Sequence, residues 1–211
     1  ANAIAMGLQA GANTQGENAI SIGTNSGVTG QAAGAIAFGF NAAYQGQAAN
    51  AVSIGTDAGG FYQSGNAVSV GPNAGNTNQG TGAVGLGWNA GFNTQKQFAI
   101  AVGTSAGYAN QGVGAVGIGW NAGTNTQGVS SVAIGTDSAA LLQGPSAISI
   151  GNQAANNSQG TGSVSIGLYA GNQAQGPASV AIGSLAAGWT GSSQGASAVA
   201  IGDRAANQAQ G

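Results

Sequence analysis

The sequence predicts an all-β protein, a parallel β-solenoid with two short strands in each coil of 16 residues. Three observations predict this fold class. A glutamine column and a glycine column recur with the same spacing, and each repeat carries a short alternating motif. In a solenoid, equivalent residues of successive coils lie in rows. Function therefore has to be inferred from rows of side chains more than from single residues.

The glutamine column recurs every 16 residues, with a single step of 19. Its members are Gln15, Gln31, Gln47, Gln63, Gln79, Gln95, Gln111, Gln127, Gln143, Gln159, Gln175, Gln194 and Gln210. A glycine column takes the same steps, from Gly7 to Gly183 and then Gly202. Both columns lengthen at the same place, so a three-residue insertion lies between 183 and 194. We expect a single repeat domain, residues 1–211, with about 13 coils.

Each repeat contains a five-residue motif of the type Ala-Ile-Ser-Ile-Gly, as at residues 19–23 and 147–151. Its second position is Ile or Val in every repeat, its fourth is apolar, and its first and third are Ala, Ser or Gly. Alternation with β-branched residues predicts a β-strand with one bulky and one small face. The pattern leaves open whether the small face lines the coil interior or a contact between subunits.

A turn is predicted after the motif glycine. A variable residue follows the glycine, and Asn or Asp comes next in most repeats, at Asn25, Asn41, Asp57, Asn73, Asn89, Asn121 and Asp137. These residue types tolerate left-handed backbone angles. The turn leads into a second short strand that ends near the glutamine. Coils stacked at the strand spacing of ~4.8 Å would form a rod roughly 60 Å long.

The glutamine column is expected to be a structural ladder that points into the coil. Identical residues in a parallel stack lie above one another, and each amide can donate to one neighbour and accept from the other. A ladder requires the same residue in every coil, whereas a polar ligand-binding stripe does not. We therefore expect the glutamines to stabilise the stack.

Composition excludes several classes of function. Charged residues make up 3% of the chain and the formal charge is -2, so no basic footprint for nucleic acid is present. The chain has no histidine and no cysteine. Its few charges, Glu17, Asp57, Lys96, Asp137, Asp203 and Arg204, are scattered over many coils. We expect no enzyme, no cofactor and no metal site, and no apolar run suggests membrane insertion of this segment.

The repeats resemble those of a known family. Asn18-Ala19-Ile20-Ser21-Ile22-Gly23 and the units that begin at Asn50 and Asn66 are similar to the head repeat of YadA-type trimeric autotransporter adhesins. The resemblance runs the full length, although the 16-residue unit is longer and the glutamine ladder is additional. It implies a left-handed β-roll, three copies about a common axis, an extracellular location on a cell or virion surface, and a role in attachment. Similar repeats occur in fibres of phages and algal viruses.

Large side chains that interrupt the regular columns are the candidate contacts with a partner or a neighbouring subunit. They are Phe40, Tyr44, Trp88, Phe92, Tyr108, Trp120 and Trp189, the last of which lies in the 19-residue step. Aromatic residues in such rows stack on sugar rings, anchor a protein partner or fill a seam between subunits. The sequence leaves these alternatives open.

The expected function is a structural and adhesive fibre segment. We expect a homotrimeric rod that attaches to a host-surface protein or glycan, because the coil core is thin and association would cover more apolar surface. The alternative is an ice-binding β-solenoid that presents a flat face of Ala, Ser and Thr. The row Thr24, Thr56, Thr104 and Thr136 is interrupted by Leu8, Phe40, Pro72, Trp88 and Trp120, so the Ala/Ser face is its better candidate if that face points outward.

Overall fold

The protein, seen in a computed structural model that describes residues 2–187 and 193–206, is a parallel β-solenoid of about 12 turns. Within these ranges all regular structure is β and no helix occurs. The chain divides into two compact units, residues 1–109 and 110–211. The predicted all-β solenoid with two short strands per coil is confirmed.

The first unit alternates strands of two parallel sheets. The strands are β1 (Ile4–Met6), β2 (Asn13–Gln15), β3 (Ile20–Ile22), β4 (Thr29–Gln31), β5 (Ile36–Phe38), β6 (Gln45–Gln47), β7 (Val52–Ile54), β8 (Phe61–Gln63), β9 (Val68–Val70), β10 (Thr77–Gln79), β11 (Val84–Leu86), β12 (Asn93–Gln95) and β13 (Ile100–Val102). Odd-numbered strands form one sheet, which we call the Ile/Val sheet, and even-numbered strands form the other, the Gln sheet.

The second unit has the same organisation. Its strands are β14 (Ala109–Gln111), β15 (Val116–Ile118), β16 (Thr126–Gln127), β17 (Val132–Ile134), β18 (Leu142–Gln143), β19 (Ile148–Ile150), β20 (Ser158–Gln159), β21 (Val164–Ile166), β22 (Ala174–Gln175), β23 (Val180–Ile182) and β24 (Val199–Ile201). The last strand belongs to the Ile/Val sheet. Every ladder glutamine from Gln111 to Gln175 ends a strand of the Gln sheet here.

Neighbouring coils pair with equivalent residues opposite each other. Ile20 pairs with Ile36, and Gln31 pairs with Gln47. The register continues across the longer step, where Val180 pairs with Val199 and Gln175 with Gln194. Residues 188–192 inside that step lie outside the described ranges. The rows predicted from the period are therefore present within each unit.

The small face of the Ile/Val sheet lines the coil interior. Ala19 and Ser21 are fully buried, whereas Ile20 and Ile22 between them are only half-buried. The reason is the close approach of the two sheets: Gln31 Nε2 lies 2.8 Å from the backbone oxygen of Ile20 in the opposite sheet. This gap has room for Ala, Ser and one glutamine per coil, and the bulky Ile and Val side chains face outward.

The bends account for the glycine column and for the Asn column. Asn25, Asp57 and Asp137 have φ angles of 57°, 54° and 51°, so the predicted left-handed turn is confirmed. At the motif glycine, Gly23 has a φ of 124°, and a Cβ there would lie 2.5 Å from the carbonyl oxygen of Gly39 in the next coil. Both the backbone angle and this contact require glycine.

Candidate functional site

The glutamine ladder is buried and runs in one direction. Gln31 Nε2 donates to Gln47 Oε1 at 3.1 Å, Gln47 Nε2 to Gln63 Oε1 at 3.1 Å, and Gln63 Nε2 to Gln79 Oε1 at 2.9 Å. Each amide also donates to a backbone oxygen of the Ile/Val sheet, as Gln63 does to Val52 at 2.9 Å. The predicted inward ladder is confirmed, and its buried amides are not exposed to a ligand.

The members at the two ends of the column differ from the others. All described members after Gln15 are buried. Gln15 is half-buried and donates to the carbonyl oxygen of Ile4 at 2.7 Å. Gln210 lies outside the described residues.

Serines at the third motif position add a second donor to the ladder. Ser21, Ser53, Ser69 and Ser165 each donate to the Oε1 of the glutamine ten residues later, at 2.7 Å in every case. The residue six positions after each of these serines is glycine. A Cβ on Gly59 would lie 2.1 Å from Ser53 Oγ, so the hydroxyl occupies the space that a larger residue would take.

Coils with alanine at the later position use a different packing. Ala37 pairs with Ala43, and Ala133 with Ala139, and both pairs are buried. Ser149 is followed by Ala155, and its hydroxyl turns away from the ladder to the backbone oxygen of Ala154 at 2.7 Å. The sequence contains this coupling between two columns, but it was not recognised when each column was considered alone.

Gln143 has a buried side-chain oxygen with no hydrogen-bond partner, the one such atom among the described residues. Its Nε2 is satisfied by Val132, Ala147 and Gln159. No serine precedes Gln143 by ten residues, because Ala133 occupies that position. This coil therefore leaves an acceptor unpaired in the ladder.

The predicted turn residues form short ladders of their own. Asn25 Nδ2 donates to Asn41 Oδ1 at 3.1 Å, and Asn41 Nδ2 donates to Asp57 Oδ1 at 3.0 Å. Asn121 Nδ2 donates in the same way to Asp137 Oδ1 at 3.0 Å. The two aspartates accept hydrogen bonds at bends. Among residues 2–187 and 193–206, no group of three or more His, Cys, Asp or Glu could hold a metal ion.

The outer face of the Ile/Val sheet is an exposed apolar surface in both units. Its fourth-position side chains are between 36% and 51% exposed at Phe38, Ile54, Leu86, Ile118, Ile150 and Ile166. The second-position side chains beside them, such as Val52 and Val164, are half-buried. Because the strands are paired in register, these residues make two adjacent rows along each unit. We call this surface the Ile/Val face.

The predicted aromatic contacts are exposed or paired locally, and they do not form one site. Phe40, Trp88 and Trp120 are each more than half exposed. Phe92 and Tyr108 stack with ring centroids 5.0 Å apart and an interplanar angle of 5°. Tyr44 packs edge-on against Phe61, which was not predicted, at 6.0 Å. Trp189 lies outside the described residues.

A depression of about 520 Å³ in the first unit was missed by the sequence analysis. It is lined by Tyr62, Ser64, Asn78, Gln79, Gly80, Thr94, Gln95, Lys96 and Gln97. Two signals were present in the sequence. Tyr62 precedes a ladder glutamine in a column that elsewhere in the first unit holds Gly, Asn or Thr, and Lys96 is the one base of that unit.

Membrane insertion and relationship to known proteins were also compared with the fold. Across the described ranges, no helix is long and apolar enough to cross a membrane. Comparison of the chain with protein-family models, with curated proteins and with solved structures gave no match.

Proposed function

We propose that this chain is a segment of a structural and adhesive surface fibre. In this proposal it is a left-handed β-roll that assembles as a homotrimer, as the resemblance to YadA-like head repeats implies. It is extracellular, on a cell or virion surface, and mediates attachment to a host-surface protein or glycan. The observation that carries the proposal is the Ile/Val face.

The Ile/Val face supports self-association. A contiguous exposed apolar surface on a soluble protein marks an interaction site, because leaving it in water is unfavourable. On this chain the surface repeats with the coil, and 3% of the residues are charged, so few charges oppose contact between copies. A three-fold arrangement would let the face of each copy pack against the same face of two others. The rows of equal height suit such packing.

The surfaces opposite the Ile/Val face would stay open for attachment. The interior holds only Ala, Ser, Gly and the ladder glutamines, so the Gln sheet and the bends carry the variable side chains. Trp88 and Trp120 project from bends, and large exposed aromatics are suited to anchor a protein or to stack on sugars. The regular coil supplies a stiff support for these side chains.

Sedimentation equilibrium tests the assembly. The wild-type protein is expected to sediment as three chains, and Ile118→Lys on the Ile/Val face is expected to release monomers. Thr126→Lys, on the exposed side of the Gln sheet, is the matched control and should stay trimeric. Labelled trimer should then bind host cells or immobilised glycans and matrix proteins. A trimer that binds none of these surfaces would contradict the adhesive role.

Ice binding is the alternative, and the burial of the small face changes its basis. Ala19, Ser21 and their equivalents line the interior, so the Ala/Ser rows are not accessible to ice. The Ile/Val face is the flat, regularly spaced surface that such a function would have to use. A stable monomer with thermal hysteresis activity would favour this alternative over the trimer.

A further inference from the structure

We infer that the depression around Lys96 binds a carboxylate-bearing sugar, of the uronic acid type. We call it the Lys96 depression, lined by the residues given above. The inference rests on the proposed adhesive function and names a ligand class for it. Its volume of about 520 Å³ lies within the range of ~300–1,000 Å³ for small-molecule sites.

The shape of the depression comes from a missing side chain. Gly80 stands between Ser64 and Lys96 in the column that directly follows the ladder glutamines. A Cβ on Gly80 would lie 2.6 Å from the backbone nitrogen of Gln97, so this position is restricted to glycine. The floor is therefore backbone and buried glutamine, and the walls are the side chains of the neighbouring coils.

One wall is a row of three different chemical groups. Tyr62, Asn78 and Thr94 precede the ladder glutamines of three consecutive coils and share left-handed φ angles of 57°, 55° and 57°. Since the glutamines point inward, these side chains project outward. Steps of ~4.8 Å place the first and last about 10 Å apart. Gly30 and Gly46 occupy the same column, so the coil itself does not need an aromatic ring there.

The groups of this row are available to a ligand. Tyr62 is 57% exposed. The Asn78 amide forms no side-chain hydrogen bond with another described residue. The Thr94 hydroxyl donates to Asn93 Oδ1 at 3.1 Å, and its oxygen can still accept. An aromatic face beside amides and hydroxyls matches the apolar face and polar edges of a sugar ring.

The opposite wall supplies a positive charge. Lys96 is exposed, and no other described residue forms an ion pair with its ammonium group. The equivalent residues of the neighbouring coils are Gly80 and Gly112, so the fold does not require lysine at this position. On a chain with a net charge of -2, a single cation beside a stacking wall favours a sugar that carries a carboxylate.

The site would stay accessible in the proposed trimer. Tyr62, Asn78 and Thr94 lie in β8, β10 and β12 of the Gln sheet, and their side chains face away from the coil interior. The Ile/Val face is on the other side of that interior. Packing of copies through the Ile/Val face therefore leaves the Lys96 depression exposed to solvent.

An NMR titration tests the site with two probes that differ only in the carboxylate. Methyl β-glucuronide is expected to shift the amide signals of Tyr62, Asn78 and Lys96, and methyl β-glucoside should bind severalfold more weakly. Lys96→Gly should weaken glucuronide binding by about threefold to tenfold. Tyr62→Gly should weaken both probes by a similar factor, because stacking does not depend on the charge.

Both variants place in their columns a residue that the chain already uses there, so unchanged circular dichroism and thermal unfolding are expected. Arg204→Gln removes the same charge elsewhere and should leave binding unaltered. Equal binding of the two probes, shifts confined to other residues, or full binding by Lys96→Gly would overturn the inference.

The two proposals fail in different ways. If wild-type trimer attaches to host surfaces but does not bind glucuronide, the adhesive function stands and the sugar site is wrong. If glucuronide binds at the Lys96 depression and the trimer attaches to no surface, the site stands and the adhesive function is wrong.

Discussion

At the scale of single residues, the interior is stabilised by hydrogen bonds more than by large apolar side chains. Gln111→Leu tests this at a central position. Gln111 Nε2 donates to Gln127 Oε1 at 3.0 Å and to the Ala115 backbone oxygen at 3.2 Å. Residue 117 is glycine, so no serine would replace the donor to Gln127. The free energy of unfolding in urea should fall by about 3 kcal/mol, because a buried acceptor is left unpaired.

Thr126→Leu is the control for that substitution. Thr126 is exposed beside Gln127 and pairs with Leu142, so leucine is already accepted in this column. Its effect should stay within about 0.5 kcal/mol. An equal, small effect of Gln111→Leu would mean that the ladder does not stabilise the coil.

The unpaired oxygen of Gln143 predicts a stabilising pair of substitutions. Ala133→Ser would place a hydroxyl where four other coils have one, 2.7 Å from the glutamine oxygen. The methyl group of Ala139 occupies the space that this hydroxyl needs, so Ala139→Gly has to accompany it. The double variant should be more stable in urea by about 1 kcal/mol.

The two single variants complete a double-mutant cycle for this pair. Ala133→Ser alone should give no gain, because its hydroxyl is turned away from Gln143, as that of Ser149 is from Gln159 beside Ala155. Strictly additive effects of the two substitutions would rule out the coupling between these columns.

At the scale of strands and bends, the glycine column sets how closely successive coils approach. Gly167 has a φ of 131°, and a Cβ there would lie 2.5 Å from the carbonyl oxygen of Gly183. Gly167→Ala should therefore destabilise the coil by about 3 kcal/mol. Gly162 in the same coil also has a positive φ, 65°, but a Cβ there would meet nothing within 4 Å. Gly162→Ala should cost about 1 kcal/mol.

Hydrogen exchange of the amides in β21 and β23 measures the difference between these two variants. Gly167→Ala should speed exchange in both strands, and Gly162→Ala should change it little. Similar exchange in the two variants would show that the backbone angle alone, and not the contact with the next coil, restricts the column to glycine.

The strands, the turns and the ladder follow from the sequence because each depends on local rules: alternation, left-handed Asn positions and stacking of identical amides. The side of the sheet that faces inward does not. Alternation defines two faces, whereas the separation of the sheets, visible in the 2.8 Å contact of Gln31 with Ile20, decides which one fits inside. The Lys96 depression was missed for a similar reason. Tyr62 and Lys96 are 34 residues apart and become neighbours only when the coils stack.

At the scale of the whole molecule, both units carry an outward Ile/Val face, so association and stability should be linked. If copies bury this face against one another, folding is coupled to assembly, and mass action makes the midpoint of thermal unfolding rise with protein concentration. Differential scanning fluorimetry over a hundredfold range of concentration should show this rise for wild type and for Thr126→Lys. Ile118→Lys should unfold at a lower temperature that does not depend on concentration, because a charge at this position prevents the faces from packing. A wild-type midpoint that is constant over the whole range would mean that the Ile/Val face is stable in water without a partner, and that its function has to be sought in contacts other than self-association.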